Sequence, residues 1–168
     1  MNKGIGIITK ARKLLNFSTC LKLYYSFIYL YLTYCVEVWG GTYPTVLDPL
    51  IKLQKKSVRV LHRASFNAHT DPIFREHSIL KFSSIYKYSI MVFMFKWKVN
   101  LLPTIFQNYF VLNSEFRNAS TRQSNLLRIP KMRLTVSFHM IRYKGVLFWN
   151  SSFSWLQRTF PEFSTTIN

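Results

Sequence analysis

The chain has 168 residues, 49% hydrophobic and 17% aromatic, with 23 Lys plus Arg against 6 Asp plus Glu and a net charge of +17. That apolar content excludes a disordered chain, and the length fits one domain or one domain with an appendage. A net charge of about 2–8 keeps a small domain soluble, so the excess of base calls for a polyanionic partner, either nucleic acid or anionic lipid.

A first helix is expected from about Gly4 to Leu15, with Ile8, Ala11 and Leu15 on one face and Lys3, Lys10 and Lys13 on the other. Ser18 or Thr19 is available to cap the next helix. Leu21 to Gly40 follows, reading LKLYYSFIYLYLTYCVEVWG, and its uncharged run between Lys22 and Glu37 is 14 residues long. A membrane span needs about 20. A helix apolar on all sides is buried in a domain or in lipid, so this stretch is expected to be the buried central helix. It should end at Gly40-Gly41.

Asp48-Pro49 carries the pattern of an N-cap followed by proline in the first turn. The helix it opens divides into an apolar stripe (Leu47, Leu50, Leu53, Val58, Leu61) and a basic face. Lys52, Lys55, Lys56, Arg59 and Arg63 stand at spacings of 3, 1, 3 and 4. No acid is expected to offset them, so helical ion pairing does not account for the face, and five like charges fit phosphate contacts. Asp71-Pro72 opens a short helix to about His77 by the same logic. A longer helix is expected from Ile85 to Asn100, capped by Ser83 or Ser84, with Met91 and Met94 as core filler. Pro103 ends it.

From Leu112 the chain turns polar, and NSEFRNASTRQSN reads as a loop. LLRIP and RLTVSFHM alternate and carry β-branched residues, so short strands are expected. A turn at Arg142–Gly145, a short helix or irregular segment in VLFWNSSFSWL, and a frayed Ser164–Asn168 complete the chain. The expected fold is mainly α: a helical bundle around a buried central helix, with a small irregular β-containing C-terminal module. The divisions are 1–110, a linker at 111–125, and 126–168.

Catalytic signals are missing. The six carboxylates, Glu37, Asp48, Asp71, Glu76, Glu115 and Glu162, are scattered, whereas a two-metal phosphoryl-transfer site needs several to converge. No GxxxxGK[ST], GxSxG or HExxH pattern occurs. His62, His69, His77 and the cysteines lack the close pairs of structural zinc sites, so each histidine is expected to act alone, with no metal and no cofactor. Cys20 and Cys35 on one helix stand roughly 22 Å apart at about 1.5 Å per residue, too far for a disulfide. No signal-peptide pattern opens the sequence, so secretion is not expected, and the sequons at Asn16, Asn118 and Asn150 read as chance. The nucleus or the cytoplasm is the expected location.

The segments GIGIITKARKLL, LKLYYSFIYLYLTYCVEVWGGTY, LDPLIKLQKKSVRVL, HTDPIF and LLPTIF, then STRQSNLLRIP and RYKGVLFWNS, follow one another through nearly the whole chain. In that order and spacing the chain resembles the C-terminal part of reverse transcriptases from jockey-like non-LTR retrotransposons. YLTYCVEVWG and LQKKSVRVL carry the resemblance most strongly. It implies the thumb and following region, which grips the template–primer duplex beside the polymerase palm. It thus implies a non-catalytic part of an RNA-directed DNA polymerase, with RNA or DNA and a palm domain as partners and no small-molecule substrate. The family's catalytic acids sit in a YADD- or FADD-like palm motif; no such motif is present, so no catalytic residue carries over.

Two departures stand out. Leu30 occupies a position where the family often has proline, and its WNSLP becomes Trp149-Asn150-Ser151-Ser152-Phe153. Both agree with a decayed copy. Nucleic-acid contact is therefore expected at Lys52, Lys55, Lys56, Arg59 and Arg63, with Lys10 and Lys13 nearby. Two alternatives stay open: a basic, aromatic-rich peripheral membrane protein, and a relic with no selected role.

Overall fold

The structure, a computed structural model, describes residues 1–116 and 123–159. The expected loop positions 117–122, the end of the C-terminal module and the frayed tail Ser164–Asn168 lie outside them. The described chain is mainly α-helical. It forms two compact units, Met1–Tyr86 and Lys87–Asn168.

In the first unit, α1 (Asn2–Ala11) buries Gly4, Ile5 and Ile8 and leaves Lys10 exposed. Asn16 caps α2 (Phe17–Tyr24), its side chain accepting from the Thr19 amide at 2.9 Å. The expected caps Ser18 and Thr19 thus fall inside the first turn. A π turn over Tyr25–Tyr29 continues into α3 (Leu30–Thr33). The helix then breaks at Cys35, which is left-handed at φ 48°, before α4 (Val36–Trp39). The Trp39 indole N–H donates to the Tyr34 carbonyl at 2.8 Å, satisfying an acceptor at the break.

This stretch is one-sided rather than buried all round. Cys20, Tyr24, Ile28, Leu32 and Val36 are at most 2% exposed, one residue in every four. At 3.6 residues per turn a four-residue step overshoots by about 40°. The wider π turn between Tyr24 and Ile28 takes back part of that drift and keeps the stripe facing the core. Tyr25, Phe27, Leu30, Tyr31, Tyr34 and Val38 face outward. Gly40 closes the stretch because the backbone packs too tightly for a side chain. A Cβ there would stand 2.5 Å from the Val36 carbonyl oxygen and 2.6 Å from the Tyr86 ring.

The next helix, α5 (Pro44–Leu61), begins earlier than Asp48. Pro44 takes the first helical position, where its missing N–H costs nothing. Pro49 therefore sits inside the helix; both it and Thr45, four residues back, are on the exposed side. Short α6 (Asp71–Glu76) follows, preceded by Thr70 rather than capped by Asp71. α7 (Phe82–Lys98) comes next, and the unit boundary falls within it.

Gln54 ties the unit together. It is 1% exposed, and its amide donates to the Tyr24 hydroxyl at 3.2 Å and the Leu80 carbonyl at 2.9 Å. Its oxygen accepts from the Phe82 amide at 2.9 Å. Burial pushes the Tyr24 hydroxyl up to about 12 from 10.0, against the opposing effect of the Gln54 hydrogen bond.

In the second unit, a 3₁₀ turn (Thr104–Phe106) and α8 (Asn113–Phe116) precede an extended segment. After a second 3₁₀ turn (Thr135–His139) comes α9 (Ile141–Thr159). The strands expected in LLRIP and RLTVSFHM do not form among the described residues. What remains is one isolated antiparallel bridge, Leu112 to Leu127. The Asn150 side chain occupies the place of a neighbouring strand, accepting from the Leu127 amide at 3.0 Å and donating to its carbonyl at 2.8 Å. Gly145 on α9 makes room for Met94: a Cβ there would stand 2.7 Å from the Met94 sulfur and would need that flexible side chain to shift.

Candidate nucleic-acid interface

The two faces of α5 separate as its spacing predicts. Gln54, Ser57, Val58 and Leu61 are buried. At about 100° per residue, Lys52, Lys55, Lys56 and Arg59 fall in an arc on the opposite side, while Arg63 stands exposed just past the end of the helix. Gln54 and Ser57 break the apolar pattern of the buried face; the Ser57 hydroxyl donates to the Gln54 carbonyl at 2.7 Å.

The cations differ in what holds them. Lys52 pairs with Asp48 at 2.7 Å, one helical turn back, so the face does carry an acid and Asp48 is an ion-pair partner rather than a cap. The Arg59 Nε donates to the Ala68 carbonyl at 2.8 Å. Arg63, left-handed at φ 57°, donates to the Arg12 carbonyl, and Arg12 in turn donates to the Val60 carbonyl at 3.0 Å. These two arginines lace the end of α1 to the end of α5. A guanidinium has five N–H donors, so Arg59 and Arg63 keep donors for a phosphate while their positions are fixed.

Lys55 and Lys56 are exposed and make no hydrogen bond or ion pair among the described residues. Lys55 does lie in the field of Asp71. That carboxyl is held below its usual range first by its hydrogen bond to Lys81 at 2.9 Å, and further by Lys55 and Arg75. Lys10 ends α1 and Lys13 follows it; both are exposed. Arg12 carries no sequence signal for its role, because its i,i+4 pattern gives no sign of a carbonyl 48 residues away.

The histidines are not all isolated. His62 Nδ1 and His77 Nε2 stand 2.9 Å apart, and Glu76 reaches both rings, 3.9 Å from His62 Nε2 and 3.7 Å from His77 Nε2. Fifteen residues of sequence separate the two histidines, so no short motif marks them; the packing of α5 against α6 brings them together. His69 stays exposed and outside the cluster.

No protein family, curated protein or solved structure matches the chain. What it does has to be read from its own surfaces. The second unit offers one with similar chemistry: a pocket of about 260 Å³ lined by Tyr109, Phe116, Arg128, Lys131 and Arg142 among others. The Arg128 guanidinium lies 3.1 Å from the Phe116 ring centroid and that of Arg142 5.5 Å from Tyr109. Aromatic faces beside cations are the elements of base-stacking surfaces on single-stranded nucleic acid.

Proposed function

We propose that the chain is a non-catalytic nucleic-acid-holding region of the kind that follows the palm in non-LTR retrotransposon reverse transcriptases. It binds RNA or an RNA–DNA duplex through phosphate contacts. The observation that carries this reading is the basic arc of α5. Lys52, Lys55, Lys56 and Arg59 lie opposite the buried face with Arg63 just past the helix end. Arg59 and Arg63 are pre-positioned by backbone carbonyls, and Asp48 offsets only Lys52 directly. Phosphates neutralise such an arc and release condensed counterions, whatever the base sequence. Lys10 and Lys13 extend the charge, and the order of segments through the chain gives the reading its reverse-transcriptase context.

The test is a salt titration of binding to an RNA–DNA hybrid with the intact chain. Five phosphate contacts correspond to a log–log slope of roughly −4 to −5. The double variant Lys55→Glu, Lys56→Glu should lower both affinity and slope without changing the circular dichroism spectrum. An affinity that hardly moves from low to physiological salt, or that survives the double substitution, overturns the phosphate-grip reading.

One observation favours a second reading, a peripheral membrane protein: the outward face of Tyr25, Phe27, Leu30, Tyr31, Tyr34 and Val38. No helix among the described residues is long and apolar enough to cross a membrane. An aromatic face beside basic residues could instead lie in the interface of an anionic bilayer. Flotation with anionic vesicles and negligible binding to the hybrid would select this reading.

A further inference from the structure

We infer that His62, Glu76 and His77 form a binding site for a zinc-class divalent cation, clipping the C-terminal end of α5 to that of α6. The inference is independent of the nucleic-acid reading. It starts from ligand chemistry: two imidazoles and one carboxylate suit Zn²⁺ and its neighbours, whereas Mg²⁺ and Ca²⁺ take oxygen ligands. Each of the three residues can bring one ligand atom within 4.8 Å of the other two.

Two of the three ligand-to-ligand distances are near those of a bound site. With metal–ligand bonds of about 2.0–2.2 Å, tetrahedral ligands stand about 3.4 Å apart. The His62 Nδ1 to His77 Nε2 separation of 2.9 Å is slightly short of this, and the 3.7 Å from His77 Nε2 to Glu76 Oε1 slightly long. The third edge runs from Glu76 to the other nitrogen of His62, Nε2, at 3.9 Å. A bound cation therefore requires the His62 and Glu76 side chains to turn until one nitrogen of His62 serves both partners. The close nitrogen contact is an N–H···N hydrogen bond between the rings, and a metal ion would take the place of that shared proton.

The surroundings hold the ligands in place. His62 and His77 each follow the last residue of a helix, and the next residues, Arg63 and Ser78, are both left-handed. The negative end of the 18-residue α5 therefore lies at the site and favours a cation. Phe17 packs on His77 with ring centroids 4.2 Å apart, fixing that ring. The Glu76 and His62 side chains are both partly exposed, so water can reach a fourth position. Three protein ligands plus water is a recognised zinc arrangement. Closing the 62–77 segment would also hold fast the end of α5 that carries Arg63.

The test is titration of the full-length chain with Zn²⁺ by calorimetry and with Co²⁺ as a visible-absorption probe. One saturable equivalent with low-micromolar or tighter affinity is expected, with a four-coordinate Co²⁺ spectrum. His62→Gln and His77→Gln should each weaken binding by about tenfold or more, at least the cost of losing an outer-shell partner. Glu76→Gln, at an exposed helix end where folding is not at risk, should weaken binding and alter the Co²⁺ spectrum. The control His69→Gln, His139→Gln should bind as the parent chain does. No saturable binding, binding unaffected by Glu76→Gln and by both ligand histidine substitutions, or loss of binding in the control overturns the inference.

Discussion

The Phe17–Trp39 stretch and α5 lie in the same unit, and both are one-sided helices, yet their outer faces have opposite chemistry. On α5 the outer face is cationic and the inner face is marked by Gln54 and Ser57 as well as by Val58 and Leu61. On the stretch the inner stripe is Cys20, Tyr24, Ile28, Leu32 and Val36, and from Phe27 onward the outer face is mostly apolar as well. Charge tells α5 which side is out. On the stretch hydrophobicity cannot tell, and only the four-residue spacing of the stripe and the π turn decide. An outward aromatic face is uncommon unless something covers or uses it, whereas an outward basic face is soluble by itself.

The sharpest way to break this comparison is to truncate one residue on each side of the stretch. Ile28→Ala empties a fully buried position and should cost about 2–5 kcal/mol by urea denaturation. Leu30→Ala, at a site 61% exposed, should stay within about 0.5 kcal/mol. Similar losses at the two positions would mean that the outer face is packed after all, and the one-sided description would fall.

Much of this was legible in the sequence, for identifiable reasons. Helix against strand was readable through residue 98, because apolar recurrence at three and four residues is a local signal. The basic arc was readable too for Lys52, Lys55, Lys56 and Arg59, since cations at helical spacing need no tertiary information; Arg63 falls past the helix end. The start of α5 was not. Asp48-Pro49 imitates a cap, and it competes with Pro44, which carries the same first-turn preference without a capping side chain before it. The outward half of Leu21–Gly40 was hidden because composition is the same on both sides. Arg12, Gln54 and the His62–His77 pair act through contacts across 48, 30 and 15 residues, which no window of sequence contains. In LLRIP the alternation was real but lacked a partner strand, and the Asn150 side chain fills that place.

Tyr24 joins the two helices, since its hydroxyl lies on the buried stripe and receives the Gln54 amide of α5. Its folded pKa of about 12 lies above the ordinary 10.0 because burial disfavours the anion. The protonated form therefore contributes its full stability below pH 10. Between pH 10 and 12 the unfolded chain has lost the proton and the folded chain keeps it, so stability falls as pH rises. A shift of this size corresponds to roughly 2–3 kcal/mol across that window. In Tyr24→Phe this part of the alkaline loss should disappear, leaving a shallower slope from tyrosines such as Tyr86, which burial also raises. Parallel pH–stability curves for the two proteins would show that Tyr24 ionises as readily folded as unfolded.

The smallest effect separates stability from binding on the α5 face. Asp48 and Lys52 are both largely exposed, with 54% and 74% of their side chains accessible, and an exposed i,i+4 pair contributes about 0.3–0.5 kcal/mol. Asp48→Asn should thus change stability by no more than that. It should, however, release Lys52 to a phosphate and steepen the salt dependence of hybrid binding by up to about one unit of slope. A stability loss of several kcal/mol would make Asp48 a structural residue of the helix. An unchanged slope would place Lys52 outside the phosphate-contacting arc and confine the contact to Lys55, Lys56, Arg59 and Arg63. That outcome would still leave a basic face on α5, but one shifted toward the end where Arg12 and Arg63 bind the helices together.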